Sequence, residues 1–423
     1  MRSLRRLFVA TCSVVAILVG GAVTLPAGAV PTFTTTVVAN DHRTSEPGID
    51  VAPDGTLYIN GPAGLLSNLP GSASYVWRSR DAGASWTLTP PGFRALLPGG
   101  GDSDISIDAG GGLHMTDLWL GSATVSRSTD QGASWLANPL QGVVIQDRQW
   151  IAAGSGSNVY HATHQIPTGL IVSKSIDGGL TFPLHSLAAS PLDQTGCICP
   201  PGNLIAEPGS GLLGTTDRVG LIYATSSGGV KFARSTNGGL TFTTATVGPA
   251  SAADTSTNFP VVASVGNGRL VSVWLAVQNG VSSVLFNSSS DWGQTWGTPK
   301  GIVTSGTPAY PWVAAHGTKV SISLYHSPDA RATPDTVPAN ARFFESYLES
   351  VDGGATFSPL TTVDPIPAKT GPVCTEGINC SSGRELGDYQ QIALDNGGHP
   401  TMSYIRVDPN APAGVDVMFA KGA

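Results

Sequence analysis

Charge is what this chain has little of: 12% of its 423 residues are Asp, Glu, Lys or Arg, and the net charge is −7. Beyond Arg2, Arg5 and Arg6 there is no Lys/Arg cluster or basic stripe, which excludes the electrostatic footprint of a nucleic-acid binder. Long apolar runs are as scarce. One lies at the N-terminus, from Leu7 to Leu25, and no later segment approaches the ~18 residues that a membrane-spanning helix needs. Cysteine is sparse, five in all. What the chain has in quantity is Gly (53) and Pro (31), the punctuation of many short strands joined by tight turns.

The basic start, the apolar run and the small-residue site Ala27-Gly28-Ala29 together predict a secretory signal peptide over 1–29, cut after Ala29. A retained anchor is the weaker alternative, because the run is rich in small residues and no basic stop-transfer cluster follows it. Cys12 lies too deep in the run for a lipoprotein site. The mature chain, 30–423, is then expected to be secreted, soluble and free of the membrane. It keeps Cys197, Cys199, Cys374 and Cys380. An even number of cysteines in an exported protein reads as disulfides, with three possible pairings. Cys374 with Cys380 is favoured because it closes a short loop, which leaves Cys197 to Cys199, a strained and uncommon bridge. A metal site built from the same residues is the minority alternative.

A turn of the form Ser-x-Asp-x-Gly-x-Ser/Thr-Trp/Phe occurs six times: Ser79 to Trp86, Ser128 to Trp135, Ser175 to Phe182, Ser235 to Phe242, Ser289 to Trp296 and Ser350 to Phe357. The copies recur about every fifty residues, the spacing of a repeat architecture. Apolar or β-branched segments precede each copy, so each reads as a hairpin turn in which Asp or Asn accepts backbone N–H groups, Gly supplies a positive φ and the aromatic packs on a neighbouring sheet. These residues resemble the Asp-box, or BNR, repeat of the β-propeller superfamily that includes sialidases. The resemblance spans nearly the whole mature chain. It implies an all-β single propeller, and it implies that Asp81, Asp130, Asp177, Asn237, Asp291 and Asp352 are structural, since in that family the boxes lie away from the ligand.

Between the boxes lie seven apolar strand-and-turn segments, one more than the boxes. The mismatch is resolved if the last unit ends on a third strand, Val415 to Ala420, and the N-terminal segment Thr32 to Ala39 supplies its fourth. Seven four-stranded blades are therefore expected, with six the alternative, and pairing the chain ends removes the exposed edges of an open array. The boxes and inner turns then share one face. The opposite face carries the long segments Leu184 to Gly202, Ser327 to Asn340 and Ser358 to Asp388.

Side chains just ahead of each inner strand point toward the axis on that loop-rich face, the natural place for a site. Asp102, Asp104, Arg148, Arg384, Glu385 and Tyr389 are the catalytic candidates there; Arg43, Glu46, Asp147, His161, Tyr310 and Asp388 are the substrate-binding ones. Paired carboxylates suit general acid and base work on a glycosidic bond, and arginine suits a ligand carboxylate. Asn203 and Asn258 share the register, and His161, His164, His326, Asp329, Arg331 and Asp335 come from the second loop set. His161 with His164, or Asp102, Asp104 and Asp108 for Ca²⁺, match no complete metal pattern, so no metal or cofactor is expected. Sialidases resemble this chain in their boxes, and their activity implies three arginines, a Tyr–Glu pair and an acid/base Asp. The Phe-Arg-Ile-Pro motif that supplies the first arginine in that family is missing, and Phe93-Arg94-Ala95-Leu96, a partial echo of it, lies after the first box. Arg43, Arg148 and Arg384, Tyr389 with Glu385, and Asp102 are the residues that could fill those roles. Two readings follow: a secreted sialidase-like glycoside hydrolase acting as a monomer on an extracellular carbohydrate, or a non-catalytic propeller that binds a glycan or a protein at the same mouth.

Overall fold

The computed structural model describes residues 30–63, 73–90, 100–119, 122–138, 146–165, 169–194, 201–209, 216–249 and 259–423. Its strands form seven antiparallel sheets, six of four strands and one, the sixth, with a short additional strand at Lys369–Thr370. From the centre outward each sheet follows chain order, and the inner strands are Gly48–Val51, Ser103–Ile107, Gln146–Ala153, Pro201–Glu207, Val261–Gly266, Thr307–His316 and Gln391–Leu394. These are blades one to seven of a propeller. The seventh is completed from the other end of the chain: Phe33–Ala39 pairs antiparallel with Val415–Gly422, from Phe33 opposite Gly422 to Ala39 opposite Val417. The count is seven, and the ring closes as the repeat arithmetic requires.

Burial follows from the layering. A second strand is covered on both faces by the neighbouring blades, so Leu57–Gly61 and Arg218–Ala224 are almost wholly buried and predominantly apolar. The outer strand Thr243–Gly248 is exposed over most of its length and is threonine-rich. Inner strands of adjacent blades do not pair, which leaves edge N–H groups that burial would make costly. Polar side chains reach across to take them. Ile107 N–H donates to Asp50 Oδ2 at 2.8 Å, Ile151 to Asp104 Oδ2 at 3.0 Å, Val262 to Asn203 Oδ1 at 2.8 Å and Ile49 to Gln391 Oε1 at 2.9 Å. The last of these links blade seven to blade one.

All six repeated turns join third to fourth strands. In each, the Ser hydroxyl donates to the Asp or Asn Oδ1 at 2.7–2.8 Å and accepts the Gly N–H at 2.8–3.0 Å. The same Oδ1 accepts the N–H four residues on, at 2.9–3.1 Å. At Asn237 the amide donates to Thr241 Oγ1, reversing the hydroxyl-to-carboxylate bond of the other copies. The closing aromatic rests on the previous blade: Phe357 on Phe286 at 5.0 Å, Trp296 on Phe232 at 5.7 Å and Trp86 on Phe419 at 5.2 Å. That third contact carries the pattern across the closure. Gly83 and Gly354 have φ of +93° and +91°, and a Cβ there would fall 2.0 Å from Phe419 and 2.3 Å from Phe286. Both conformation and close approach therefore demand glycine.

Two sequence expectations are corrected. Leu184 to Gly202 is not all loop, since Leu184–Ala189 is the outer strand of blade three. Ser358 to Asp388 likewise contributes the short strands Thr361–Thr362 and Lys369–Thr370 to blade six. Cys374 and Cys380 are disulfide-bonded. Cys197, Cys199, Asn258, Phe93 to Leu96 and the leader at 1–29 lie outside the described residues. Among the described residues no helix is long and apolar enough to cross a membrane.

Candidate functional site

Inner strands converge on the axis, so the side chains at their starts meet whether or not the blades pair. Trp150, Trp312 and Tyr389, from the inner-strand regions of blades three, six and seven, and Phe259, ahead of blade five, stack tilted or edge to face with centroids 5.4–6.3 Å apart. On this aromatic floor lies the Arg148 guanidinium, 4.2 Å from the Trp150 ring centre and 4.4 Å from that of Tyr389. Arg148 is 2% exposed, so its charge requires counter-charges. It finds two: Nη1 is 3.3 Å from Glu46 Oε2 and 3.3 Å from Asp102 Oδ2. Nη2 donates to the Ser103 carbonyl at 3.4 Å, an acceptor shared with the Tyr389 hydroxyl at 2.7 Å.

Arg384 enters from the loop that the Cys374–Cys380 bridge tethers. Its Nη2 and Nε donate to Asp388 at 2.6 and 3.3 Å, and Nη2 lies 3.5 Å from Glu46 Oε1. Glu46 therefore links both guanidinium groups. Tyr310 donates its hydroxyl to the Cys374 carbonyl at 3.3 Å, facing the same charges. Glu46 and Tyr310 each hold φ at +50°. The other non-glycine residues with positive φ among those described (Ala82, Gln131, Asn267, Asn279 and Trp292) sit in turns between strands. Left-handed backbone at a Glu and a Tyr persists only where the surroundings over-determine it, and both occurrences fall in this cluster.

Burial dominates the proton affinities. It pushes the Glu46 carboxyl well above the usual range, aided by the charges of Asp102 and Asp388 and opposed by Arg148 and Arg384. Asp147 is pushed up to about 7, first by burial, then by the charge of Asp102. Asp388 rises through burial, with Arg384 pulling it back. Arg148 and Arg384 are held charged by these neighbours. An acid that keeps its proton close to neutrality beside a second carboxylate is equipped to protonate a leaving oxygen.

Glu46, Asp102, Asp147, Arg148, Tyr310, Arg384, Asp388 and Tyr389 are thus brought together. Four candidates are not. Asp104 lines a central cavity of about 260 Å³ with Ser106, Asn203, Ser264 and Gln391; it accepts from Ile151 N and from Gln391 Nε2 at 3.2 Å, and burial raises it to about 6. Its carboxyl is one of the inter-blade bridges. Glu385 turns away from Tyr389 to pair with Lys369 at 2.6 Å, so the nominated Tyr389–Glu385 couple does not form. Arg43 is exposed and its charge acts on Glu385, so only two of the three nominated arginines converge. His161 faces blade two, with Nε2 2.9 Å from Thr116 Oγ1 and its ring on Phe182; burial, with a smaller effect of His185, depresses it to about 3. His164 is buried too, and Asp108 sits at the strand's far end on His114 at 2.9 Å. Among the described residues no three His, Cys, Asp or Glu side chains are placed to hold a metal ion.

Sequence reasoning missed the aromatic floor, although Trp150 stands two residues from Arg148. It also missed Glu345 and Gln390. Glu345 is 0% exposed on the third strand of blade six, and Gln390 is equally buried directly after Tyr389.

No protein-family model matches the chain, and no curated protein matches it. Among solved structures, a protein of unknown function from Dyadobacter fermentans is 15% identical, with 94% of this chain and 100% of that chain covered and a TM-score of 0.50. An α-L-arabinofuranosidase from Fusarium graminearum is 12% identical over 93% of this chain and 96% of its own, with a TM-score of 0.46. An intramolecular trans-sialidase from Ruminococcus gnavus is 12% identical over 92% and 96%, with a TM-score of 0.45. The likeness to the Dyadobacter protein speaks to the fold alone and leaves the chemistry to the residues of the mouth.

Proposed function

We propose that the chain is a secreted glycan-active propeller and that its loop-face cluster hydrolyses a glycosidic bond. The observation that carries this reading is the cluster of carboxyls about Arg148, in which Glu46 and Asp102 each lie 3.3 Å from its Nη1 and Asp147 is pushed up to about 7, first by burial and then by the charge of Asp102. In this reading Asp147 is the general acid. Asp102 and Glu46 touch the same Arg148 nitrogen at 3.3 Å each. Arg148 and the aromatic floor hold the carboxylates in place.

A fluorogenic-glycoside screen of the purified protein tests this. Asp147→Asn is expected to lower kcat about 10²–10⁴-fold, the usual contribution of a positioned acid. Because the acid acts in its protonated form, kcat falls as pH rises past about 7. Activity that ignores the substitution refutes the assignment. The second reading, a non-catalytic glycan binder, is favoured by one feature: both guanidinium groups are already paired within the protein. It is the outcome if a glycan array shows binding and no glycoside is cleaved.

A further inference from the structure

We infer that the mouth is built for a neutral sugar and selects against an acidic one; this deepens the reading above and rests on it. A guanidinium recognises a ligand carboxylate through two parallel N–H donors, so a free fork is the minimum requirement. Neither arginine offers one. Arg148 spends Nη1 on Glu46 and Asp102 and Nη2 on the Ser103 carbonyl, its remaining face lies on Trp150 and Tyr389, and only 2% of it is exposed. Arg384 is more accessible, but Asp388 takes Nε and Nη2 together and Glu46 shares Nη2.

An incoming carboxylate would therefore have to displace a resident one. It would also arrive beside the partly exposed Asp102 and Asp388, and like charges brought together in a mouth are costly. A neutral ring meets no such barrier. Its hydroxyl groups can donate to the carboxylates of Asp102 and Asp388 and accept from the carboxyl of Asp147, which burial pushes up to about 7. Four carboxyl groups around two arginines form a surface for hydroxyl groups. The arginines act on the ligand indirectly, as positioning residues that hold those carboxyls.

The experiment compares matched pairs by titration calorimetry and on a glycan array: lactose with sialyllactose, and oligogalactose with oligogalacturonate, alongside a wider set of neutral and acidic glycans. The neutral members are expected to bind about tenfold more tightly or better. Asp388→Asn removes the carboxylate that occupies the Arg384 fork, and it is expected to shift the acidic-to-neutral affinity ratio upward by about tenfold, an outcome no general loosening of the fold produces. Arg384→Gln provides the complementary arm, with neutral glycans weakened and the ratio not falling. A wild-type preference for the sialylated or uronic member, abolished by Arg384→Gln, overturns this inference and leaves glycan activity standing. Absence of binding to every glycan instead sinks the functional reading on which it rests.

Discussion

Replacing Glu345 by Gln should make the protein more stable, by an amount that grows with pH. Glu345 is 0% exposed, its carboxyl oxygens have no well-formed hydrogen bond, and the adjacent Gln390 amide has none either. Burial, joined by the charge of Asp364, pushes its pKa well above the ordinary value of 4.5, against a weaker pull from Gln390. A carboxyl whose pKa is raised by folding binds its proton in the native state over a range where the unfolded chain has lost it. Stability then falls as pH rises from the unfolded pKa toward the folded one, and the penalty vanishes below both. One proton across that window is worth about 1.4 kcal/mol per pH unit, so the wild type should lose stability relative to Glu345→Gln, by up to that slope, as pH rises from about 5 to 7. Urea unfolding of both proteins at pH 5, 6 and 7 gives this difference directly, since all other titrating groups cancel. Parallel stability profiles would refute the reasoning, because they would mean that Glu345 is ionised and compensated in the folded protein.

Arg148→Met should cost about 3–5 kcal/mol of stability at neutral pH, because it strips Glu46 and Asp102 of a buried partner, and denaturant titration measures the loss. An unchanged midpoint would show that Arg148 does not anchor the cluster. Asp291→Ala, which removes the acceptor for Ser289 Oγ and the Thr295 N–H, should lower the melting temperature while glycan binding stays at wild-type strength. Loss of binding without loss of stability would place the repeated turn in the site.

The fold was legible because its signals are local and repeated. Six copies of one turn, plus a seventh apolar segment with no box, are enough to specify seven blades and a closure by the chain ends, and Phe33–Ala39 takes that place. The mouth was legible by register, since Glu46, Asp102, Asp147, Arg148 and Asp388 all stand just ahead of an inner strand or at its start. Register does not say which way a loop side chain turns. Arg384 and Glu385 are neighbours on a loop with no strand geometry, and they face different partners, Asp388 and Lys369. His161 lies within a second strand, where its side chain meets the adjacent blade. Glu345 was missed because a Glu in the strand RFFESYLES, which carries another at Glu349, reads as its solvent side, whereas the packing of blade six beside Gln390 encloses it. The aromatic floor joins residues from four blades, and no short window of sequence contains it.

The most direct test of the account is the position of a bound neutral oligosaccharide, determined by crystallography of the Asp147→Asn protein soaked with its tightest ligand from the array. The account predicts a sugar ring over the mouth, with hydroxyl groups within hydrogen-bond distance of Asp102 and Asp388 and both arginines still paired as they are without ligand. A ligand seated on the face that carries the six repeated turns, or one holding Arg384 after displacing Asp388, would contradict it.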